Sequence, residues 1–253
     1  LSWVLDAVAA PGPERTVVVV GADAAAVVAA LPPGVEHCVQ DPPRGTGHAV
    51  EVALAHLAPA PGDAVLVVPG DTPLLTADTL ADLVAAHGAT SADVTLLTTV
   101  PPDPTGYGRI VRSEGRVVAI VEHSDADAAV RAVGEVNSGV YAFAAGILGA
   151  SLATLDAANA QGEIYLTDVV AGTVAAGGRV ETVPVGPEDV AGVNTHVQLA
   201  EVAAVARRRL AERWMLAGVR MVDPAAVHLD ADVVLAPGVV LYPGVHLEGG
   251  TAV

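Results

Sequence analysis

The chain has 253 residues, of which 52% are hydrophobic, so it is long enough for one medium domain plus a small one. Its 29 carboxylates outnumber its 12 basic residues, all of them arginine, and give a net charge of −17. This charge disfavours nucleic acid and anionic membranes as partners, and an anionic substrate then needs a metal ion or a local arginine. The single cysteine, Cys38, excludes an internal disulfide and fits a reducing cytosol, so we expect a cytoplasmic protein without a membrane span.

Strand and helix patterns alternate through the first part of the chain. The β-branched run at 16–21 is continuous and ends in glycine, which is typical of a buried parallel strand. Similar patterns predict helices at 22–31, 48–57 and 76–89, and strands at 37–40, 64–71 and 93–100. This alternation predicts an open, mostly parallel α/β sheet with helices on both faces.

The middle of the chain is less regular. A hairpin is predicted at 109–123 around Glu114-Gly115. Further elements are predicted as strands at 135–143 and 179–185 and helices at 165–177 and 196–218. The chain opens with LSWVLDAV, which lacks an initiator Met and has the pattern of the middle of an amphipathic helix, so we expect residues to precede it.

The tail has a six-residue period. One set of positions holds Val227, Val233, Val239, Val245 and Thr251, and a second set holds Leu229, Leu235, Leu241, Leu247 and Val253. This period predicts hexapeptide β-helix repeats, in which three hexads make one coil. Since about three or more repeat units are needed to bury a core, we expect further repeats beyond residue 253.

Several polar residues stand where chemistry is plausible, and each has a structural alternative. Asp71 follows a predicted strand at its carboxyl end, where open sheets bind ligands, but Asp beside Pro and Gly also caps turns. Asn194 is either a ligand or the N-cap of the last helix. Glu122 is either a ligand or a strand-end surface residue. The motifs GTGHA, NSG and GYGRI are turn-like when taken alone.

The motifs GTGHA, PGDTPLL, PTGYGRI, AIVEHSDA, EVNSGV, GEIYLTD and VAGVNTHVQLAE occur in this order, followed by a long helix and the hexads. In this combination the chain resembles the bacterial bifunctional N-acetylglucosamine-1-phosphate uridyltransferase/glucosamine-1-phosphate acetyltransferase family, over essentially all of its length. The resemblance implies a Rossmann-like sheet of the nucleotide-diphospho-sugar transferase type, a linker helix and the start of a left-handed parallel β-helix. The implied domains are 1–195, 196–218 and 219–253, with the first and last truncated.

The resemblance also implies a role for each candidate residue. The expected contacts with uracil and ribose are Gln40, Gly45 and Thr46, and those with the rest of the nucleotide are Pro69 and Gly70. Asp71 and Asn194 would coordinate Mg²⁺. The expected sugar contacts are the backbone N–H of Gly108, the side chains of Glu122 and Asn137, and the lining residues Tyr165 and Thr167.

The implied reaction makes UDP-N-acetylglucosamine and pyrophosphate from UTP and N-acetylglucosamine 1-phosphate, with acetyl-CoA as a further substrate of the full-length parent, a homotrimer. Two departures matter: the family's N-terminal glycine-rich loop with its Arg and Lys is absent, and the later β-helix coils that carry acetyl transfer are not reached. We therefore expect this chain to be inactive or nearly so in both steps. The alternatives are a nucleotidyltransferase for another sugar 1-phosphate and a non-catalytic trimerising scaffold.

Overall fold

The apolar runs of the sequence become strands and helices in the computed structural model, which describes all of residues 1–253. The chain divides into two units, Leu1–Val190 and Ala191–Val253. The helices of the first unit are α1 (Ser2–Ala9), α2 (Ala25–Ala29), α3 (Thr46–Leu57), α4 (Ala77–Thr90), α5 (Ala128–Arg131), α6 (Ala145–Leu152) and α7 (Asp168–Ala175). Its strands are β1 (Thr16–Val20), β2 (Val35–Val39), β3 (Ala64–Val67), β4 (Val94–Thr99), β5 (Arg109–Ser113), β6 (Arg116–Val121), β7 (Val136–Ala144) and β8 (Val180–Pro184).

A six-stranded sheet forms the centre of the first unit, in the order β6-β5-β7-β4-β8 with β3 also paired to β7. The strands β3, β4, β5 and β8 run in one direction, and β6 and β7 run in the other. The prediction of a mostly parallel α/β sheet is confirmed in this sense. The predicted hairpin is also confirmed, because β5 pairs with β6 through a turn that places Glu114 and Gly115 at positive φ.

Both faces of this sheet are covered by apolar side chains. On β4, Leu96 packs into one core cluster and Leu97 into another. On β7, Tyr141 and Val140 are divided between the same two clusters. Because successive strand residues point to opposite faces, the two clusters lie on opposite sides of the sheet. Burial on both faces explains why these strands read as continuous apolar runs.

The strands β1 and β2 form a separate parallel pair. β1 pairs only with β2, and β3 pairs only with β7, so each of these strands has one unpaired edge. A cavity of about 890 Å³ is lined by consecutive residues of both strands, Thr16–Val19 and Ala64–Val68. Consecutive residues of a strand point to opposite faces, so a cavity on one face of the strands would contact only alternate residues. Because this cavity contacts successive residues, it runs along the unpaired edges of the two strands.

The predicted helix at 22–31 is wrong in length, since α2 covers only Ala25–Ala29. Its N-cap, Ala24, has no side-chain acceptor, and none of its residues is buried, so neither capping nor packing stabilises a longer helix. The short helices α5 and α6 were not predicted. Asp127 caps α5 by accepting a hydrogen bond from the Val130 N–H at 2.8 Å, and α6 is anchored by buried residues such as Leu148.

The second unit contains the helix α8 (His196–Leu216), a 3₁₀ turn (Pro224–Ala226) and four short strands, β9 (Arg220–Met221), β10 (His228–Leu229), β11 (Val240–Leu241) and β12 (His246–Leu247). β10 pairs in parallel with β12, and Val234 bridges Ala252, so each residue pairs with the one three hexads further on. The core of this unit includes the repeating positions Val227, Leu229, Val233, Leu235 and Leu241. The hexad period therefore corresponds to a backbone path that repeats every three hexads. The left-handed β-helix and the predicted domain boundaries after residues 195 and 218 stay predictions.

None of the helices combines the length and the apolar character that a bilayer span requires.

Candidate active site

The turn between β2 and α3 is held together by the Gln40 side chain. Its Nε2 donates to the carbonyl oxygen of Gly45 at 2.9 Å and lies 3.0 Å from Nδ1 of the buried His48. These bonds occupy the amide nitrogen and fix the end of β2 against the start of α3. The amide oxygen of Gln40 accepts no hydrogen bond within the chain, so it is the atom that a ligand can use.

Glycines at this turn bring it against a distant segment. Gly45 has φ +105°, and a Cβ atom there would lie 2.6 Å from the carbonyl oxygen of Ile164. The N–H of Gly47 donates to that same oxygen at 2.8 Å, and Thr46 Oγ1 accepts from the Leu166 N–H at 3.0 Å. Gly45 is an expected nucleotide contact, whereas its close neighbour in the structure is the backbone of Ile164. The turn predicted to bind the nucleotide is thus tied to the segment predicted to line the sugar.

Asp71 lies exposed at the turn that follows β3. The side chain that closes this turn is Thr72, whose Oγ1 donates to the carbonyl oxygen of Pro69 at 3.0 Å. The Asp71 carboxylate forms no hydrogen bond and no ion pair within the chain, so the structure gives no support to its alternative role as a turn cap. Both of its oxygens are available to a cation or a ligand.

Three predicted sugar contacts come together at neighbouring strands of the sheet. Gly108 precedes β5, Glu122 follows β6, and Asn137 lies in β7. The N–H of Asn137 donates to the carbonyl oxygen of Gly108 at 2.9 Å. A Cβ atom on Gly108 would lie 3.3 and 3.4 Å from the two carboxylate oxygens of Glu122. A side chain at this position would therefore force its neighbours to shift, and the N–H of the buried Gly108 has no acceptor within the chain.

The carboxyl group of Glu122 has a pKa shifted by its surroundings. Burial raises the pKa of its carboxyl, and the hydrogen bond donated by Thr167 Oγ1 to Oε1 at 3.0 Å opposes that rise. The charges of Asp168 and Asp125 raise the pKa of Glu122 further. Tyr165 is buried beside this group and donates its hydroxyl to Asp125 at 3.4 Å. Thr167 and Tyr165 therefore line the same acidic, half-buried corner as Glu122.

The cavity along β1 and β3 collects about half of the predicted site residues. Those that line it are Thr46, Pro69, Gly70, Glu122, Asn137 and Thr167. The others in the first unit, which do not line it, are Gln40, Gly45, Asp71, Gly108 and Tyr165. Asn194 belongs to the second unit. The structure thus brings some of the predicted nucleotide contacts and some of the predicted sugar contacts to one cavity.

Sequence reasoning missed two residues that shape this cavity. Gly139 has φ +82°, and a Cβ atom there would lie 2.9 Å from Cγ of Pro69. Its N–H donates to Oδ1 of Asn137 at 3.0 Å, which fixes that side chain. Tyr141 is 1% exposed, lines the cavity and has a buried hydroxyl without a hydrogen-bond partner. A glycine inside a strand pattern is a signal of close backbone approach, so NSG could have identified Gly139.

Asn194 does not cap the helix that follows it. The N-cap of α8 is Thr195, which forms a capping box with Gln198: Thr195 Oγ1 accepts from the Gln198 N–H at 3.2 Å, and Gln198 Oε1 accepts from the Thr195 N–H at 3.0 Å. The Asn194 backbone N–H also donates to Gln198 Oε1, at 2.8 Å. The exposed side chain of Asn194 forms no hydrogen bond within the chain, so its amide oxygen is available to a ligand.

No group of three or more His, Cys, Asp or Glu side chains in the chain could hold a metal ion. This excludes a cage made wholly of such side chains, but a magnesium site of one or two protein oxygens needs no such cage. Asp71 offers a free carboxylate and Asn194 a free amide oxygen, and hard oxygen donors of this kind fit Mg²⁺. Since the two residues belong to different units, their shared metal site stays a prediction.

Comparisons with known proteins agree with this geometry. The chain is 49% identical over 262 residues to the bifunctional protein GlmU of Mycolicibacterium gilvum, with 100% of this chain and 53% of that protein covered. It is 50% identical over 245 residues to the bifunctional protein GlmU of Kineococcus radiotolerans, with 95% and 50% covered. These matches confirm the resemblance that the motif series indicated, and the chain spans about half the length of the curated relatives that it matches.

A solved structure from Bacillus anthracis, described as a glucose-1-phosphate thymidylyltransferase in complex with a sucrose, matches with a TM-score of 0.59. The match covers 76% of this chain and 75% of that one at 17% identity, so it shows a shared fold. The family model for the MobA-like NTP transferase domain matches residues 1–164, which include α1 to α6 and the turns that carry Gly45, Asp71 and Gly108. On the sequence match and the fold together, this chain belongs to the MobA-like NTP transferase domain family.

Proposed function

We propose that this chain is the nucleotidyltransferase part of an enzyme that makes UDP-N-acetylglucosamine and pyrophosphate from UTP and N-acetylglucosamine 1-phosphate. The observation that carries the proposal is the grouping of Gly108, Glu122 and Asn137 at neighbouring strand positions, with Thr167 donating to Glu122. Such a set offers oriented donors and acceptors and no cation, which suits the hydroxyl and acetamido groups of a sugar.

In the proposed reaction, a phosphate oxygen of N-acetylglucosamine 1-phosphate bonds to the α-phosphorus of UTP. The bond between the α-phosphorus and its bridging oxygen to the β-phosphate breaks, and pyrophosphate leaves with the electron pair. No side chain of this chain has to form a covalent bond, so its contribution is positioning. Gln40 and Thr46 would orient the uridine from the β2–α3 turn, and Gly108, Glu122 and Asn137 would orient the sugar.

Asp71 and Asn194 are the residues that would hold Mg²⁺. When bound, Mg²⁺ neutralises phosphate charge and aligns the phosphates. The chain has a net charge of −17, so phosphate binding needs such a countercharge. The free oxygens of the two side chains support their assignment as the protein's share of the ligands.

The finer features of the full-length parent belong to the same proposal. The parallel pairs three hexads apart, β10 with β12 and Val234 with Ala252, support the start of a left-handed hexapeptide β-helix. In relatives named as bifunctional, a second activity is implied, and we assign acetyl transfer from acetyl-CoA to glucosamine 1-phosphate, with homotrimer formation, to the longer parent. Its products would supply cell-wall precursor synthesis.

Binding of UDP-N-acetylglucosamine to the 253-residue chain, measured by calorimetry with and without Mg²⁺, tests the proposed function without requiring turnover. We expect binding that strengthens with Mg²⁺ and exceeds that of dTDP-glucose. Stronger binding of dTDP-glucose would favour a nucleotidyltransferase for another sugar, and no binding of either ligand would favour the scaffold.

The metal assignment is tested by Asp71→Asn and Asn194→Ala. Each substitution is expected to abolish most of the Mg²⁺-dependent gain in affinity, about tenfold or more, without lowering the melting temperature of the chain. Thr195→Ala is the matched control, because it removes the N-cap of α8 and costs about 1 kcal/mol of stability while leaving the metal dependence intact. If Asn194→Ala destabilises the chain and keeps the Mg²⁺ effect, Asn194 is not a ligand.

A further inference from the structure

Arg109 is a charged side chain that the reaction scheme leaves unused, and it is only 1% exposed. Arg15, Arg112 and Arg179 form ion pairs with glutamates at or near the surface, whereas Arg109 lies within 4 Å of no carboxylate. Removing an unpaired guanidinium from water is costly, so its neighbours must compensate it by hydrogen bonds. The contacts of Arg109 therefore indicate what this buried charge does.

The guanidinium bonds to two groups, each one residue away from a predicted sugar contact. Its Nη1 donates to the carbonyl oxygen of Tyr107, the residue before Gly108. Its Nη2 lies 3.4 Å from Nδ1 of His123, the residue after Glu122. Its Nε is buried without a partner, so the hydrogen bonding of this side chain is concentrated at its two terminal nitrogens. Arg109 thus links the start of β5 to the end of β6.

The first of these bonds acts on the peptide unit that Gly108 shares with Tyr107. The carbonyl of Tyr107 and the N–H of Gly108 belong to one planar trans peptide, so fixing the direction of the carbonyl fixes the direction of the N–H. A cationic donor at the carbonyl oxygen also polarises the peptide and strengthens its N–H as a donor. That N–H has no acceptor within the chain, and Gly108 itself lies against the Glu122 carboxylate, because a Cβ atom there would come within 3.3 Å of it.

We propose that Arg109 is a positioning residue that orients and polarises the Gly108 N–H for the sugar. Its bond to His123 holds the neighbouring residue, Glu122, in position beside Gly108. This inference rests on the proposed function for the identity of the ligand. Arg109 itself does not line the cavity, so it acts through the Tyr107–Gly108 peptide. A purely structural arginine would stabilise the fold without changing the donor strength of one particular amide.

The test uses Arg109→Lys and Arg109→Met in the 253-residue chain, with Arg112→Met as the matched control. Arg112 lies on the same strand, and its exposed guanidinium pairs with Glu135. The first readout is the ¹H,¹⁵N chemical shift of the Gly108 amide without ligand. We expect a clear upfield proton shift in Arg109→Met, a smaller one in Arg109→Lys, and none in Arg112→Met.

The second readout compares calorimetric affinities for UDP-N-acetylglucosamine and for UDP. We expect Arg109→Met to weaken UDP-N-acetylglucosamine by about tenfold, as for loss of one charge-assisted hydrogen bond, and to leave UDP unchanged. Arg109→Lys, which keeps the charge and one donor, should recover part of that loss. His123→Ala removes the second bond only and should weaken UDP-N-acetylglucosamine less than Arg109→Met does.

An unchanged Gly108 amide, or an equal loss of affinity for both ligands, would overturn the proposal. If Arg109→Met does not fold, Arg109→Lys and His123→Ala still give both readouts. If the unaltered chain binds UDP but not UDP-N-acetylglucosamine, the proposed function fails, while the amide shift in Arg109→Lys still decides whether Arg109 orients this peptide.

Discussion

The two sides of the candidate site in the first unit are built differently. The sugar side is formed at paired strands of the six-stranded sheet, where Gly108 is buried and Glu122 and Asn137 are half-buried and hydrogen-bonded. The nucleotide side is formed by turns after β2 and β3, where Thr46 and Asp71 are exposed. Discrimination between sugars needs donors and acceptors in fixed directions, whereas phosphate charge needs a countercharge, which a cation can supply. We therefore propose that the sheet supplies selectivity for the sugar and that the turns supply ligands for the cation.

The largest effect is expected where the two sides meet, at Gly45. Gly45→Ala places a Cβ atom 2.6 Å from the Ile164 carbonyl oxygen at φ +105°, so both strain and collision separate the β2–α3 turn from residues 164–166. We expect a loss of about 3 kcal/mol in the free energy of unfolding, measured by urea denaturation.

The matched control is Gly34→Ala, which has φ +87° and no atom within 4 Å of the added Cβ. It should cost about 1 kcal/mol, from backbone conformation alone. Equal losses in the two variants would mean that contact with Ile164 does not join the two sides.

At Glu122 we expect a substitution of medium effect that raises the stability of the chain but lowers its affinity for the ligand. Burial raises the pKa of its carboxyl, so folding disfavours the charged form, and stability falls as pH rises from the ordinary value through the raised one. Glu122→Gln removes this cost at pH 7 and should raise the melting temperature by about 2–4 °C, while weakening UDP-N-acetylglucosamine by about tenfold.

The exposed hairpin residue Glu114 provides the control, because Glu114→Gln should change neither the melting temperature nor the affinity. A Glu122→Gln variant that loses stability would show that the carboxylate supports the fold rather than the ligand.

The smallest effect is a pH dependence of stability that we expect from His87 and not from Glu36. Burial lowers the pKa of His87, which lies under the sheet with Nδ1 3.0 Å from Thr95 Oγ1. A lowered histidine pKa means that protonation favours unfolding, so this contribution to stability is lost as pH falls below about 6.5. On β2, hydrogen bonds from Arg15 and then from His56 lower the pKa of Glu36 to about 2. The ion pair between Arg15 and Glu36 therefore persists until the pH falls below the ordinary carboxyl range.

Melting temperatures at pH 7 and pH 5 test this difference. We expect a decrease of about 1–2 °C between the two pH values that His87→Gln abolishes and Glu36→Gln leaves unchanged. A decrease that disappears in Glu36→Gln would assign the acid sensitivity to the nucleotide side.

Features that depend on residues close together in the sequence, such as helix caps, were the most predictable. Thr76 begins the predicted helix at 76–89 and is the N-cap of α4, since an N-cap is set by a side chain and an N–H three residues away. Thr195 rather than Asn194 caps α8, and the sequence could have shown this, because Thr195 and Gln198 have the spacing of a capping box.

Contacts between distant parts of the chain were beyond sequence reasoning. The neighbour of Gly45 is Ile164, and no periodicity links these positions. Arg109 reads as an ordinary polar residue at the start of a strand, and only the folded hairpin brings its guanidinium to His123. The candidate residues were therefore predictable as a set of types, but the positioning contacts among them were not.

The unpaired edges of β1 and β3 have a practical consequence. Rows of backbone amides and carbonyls without partners invite strands from other molecules, and natural sheets often guard such borders with lysine, which this chain lacks. The sequences TVVVV and AVLV on these borders are uncharged and rich in valine. Concentrated samples should accordingly tend toward intermolecular strand pairing, and dilution should reduce it.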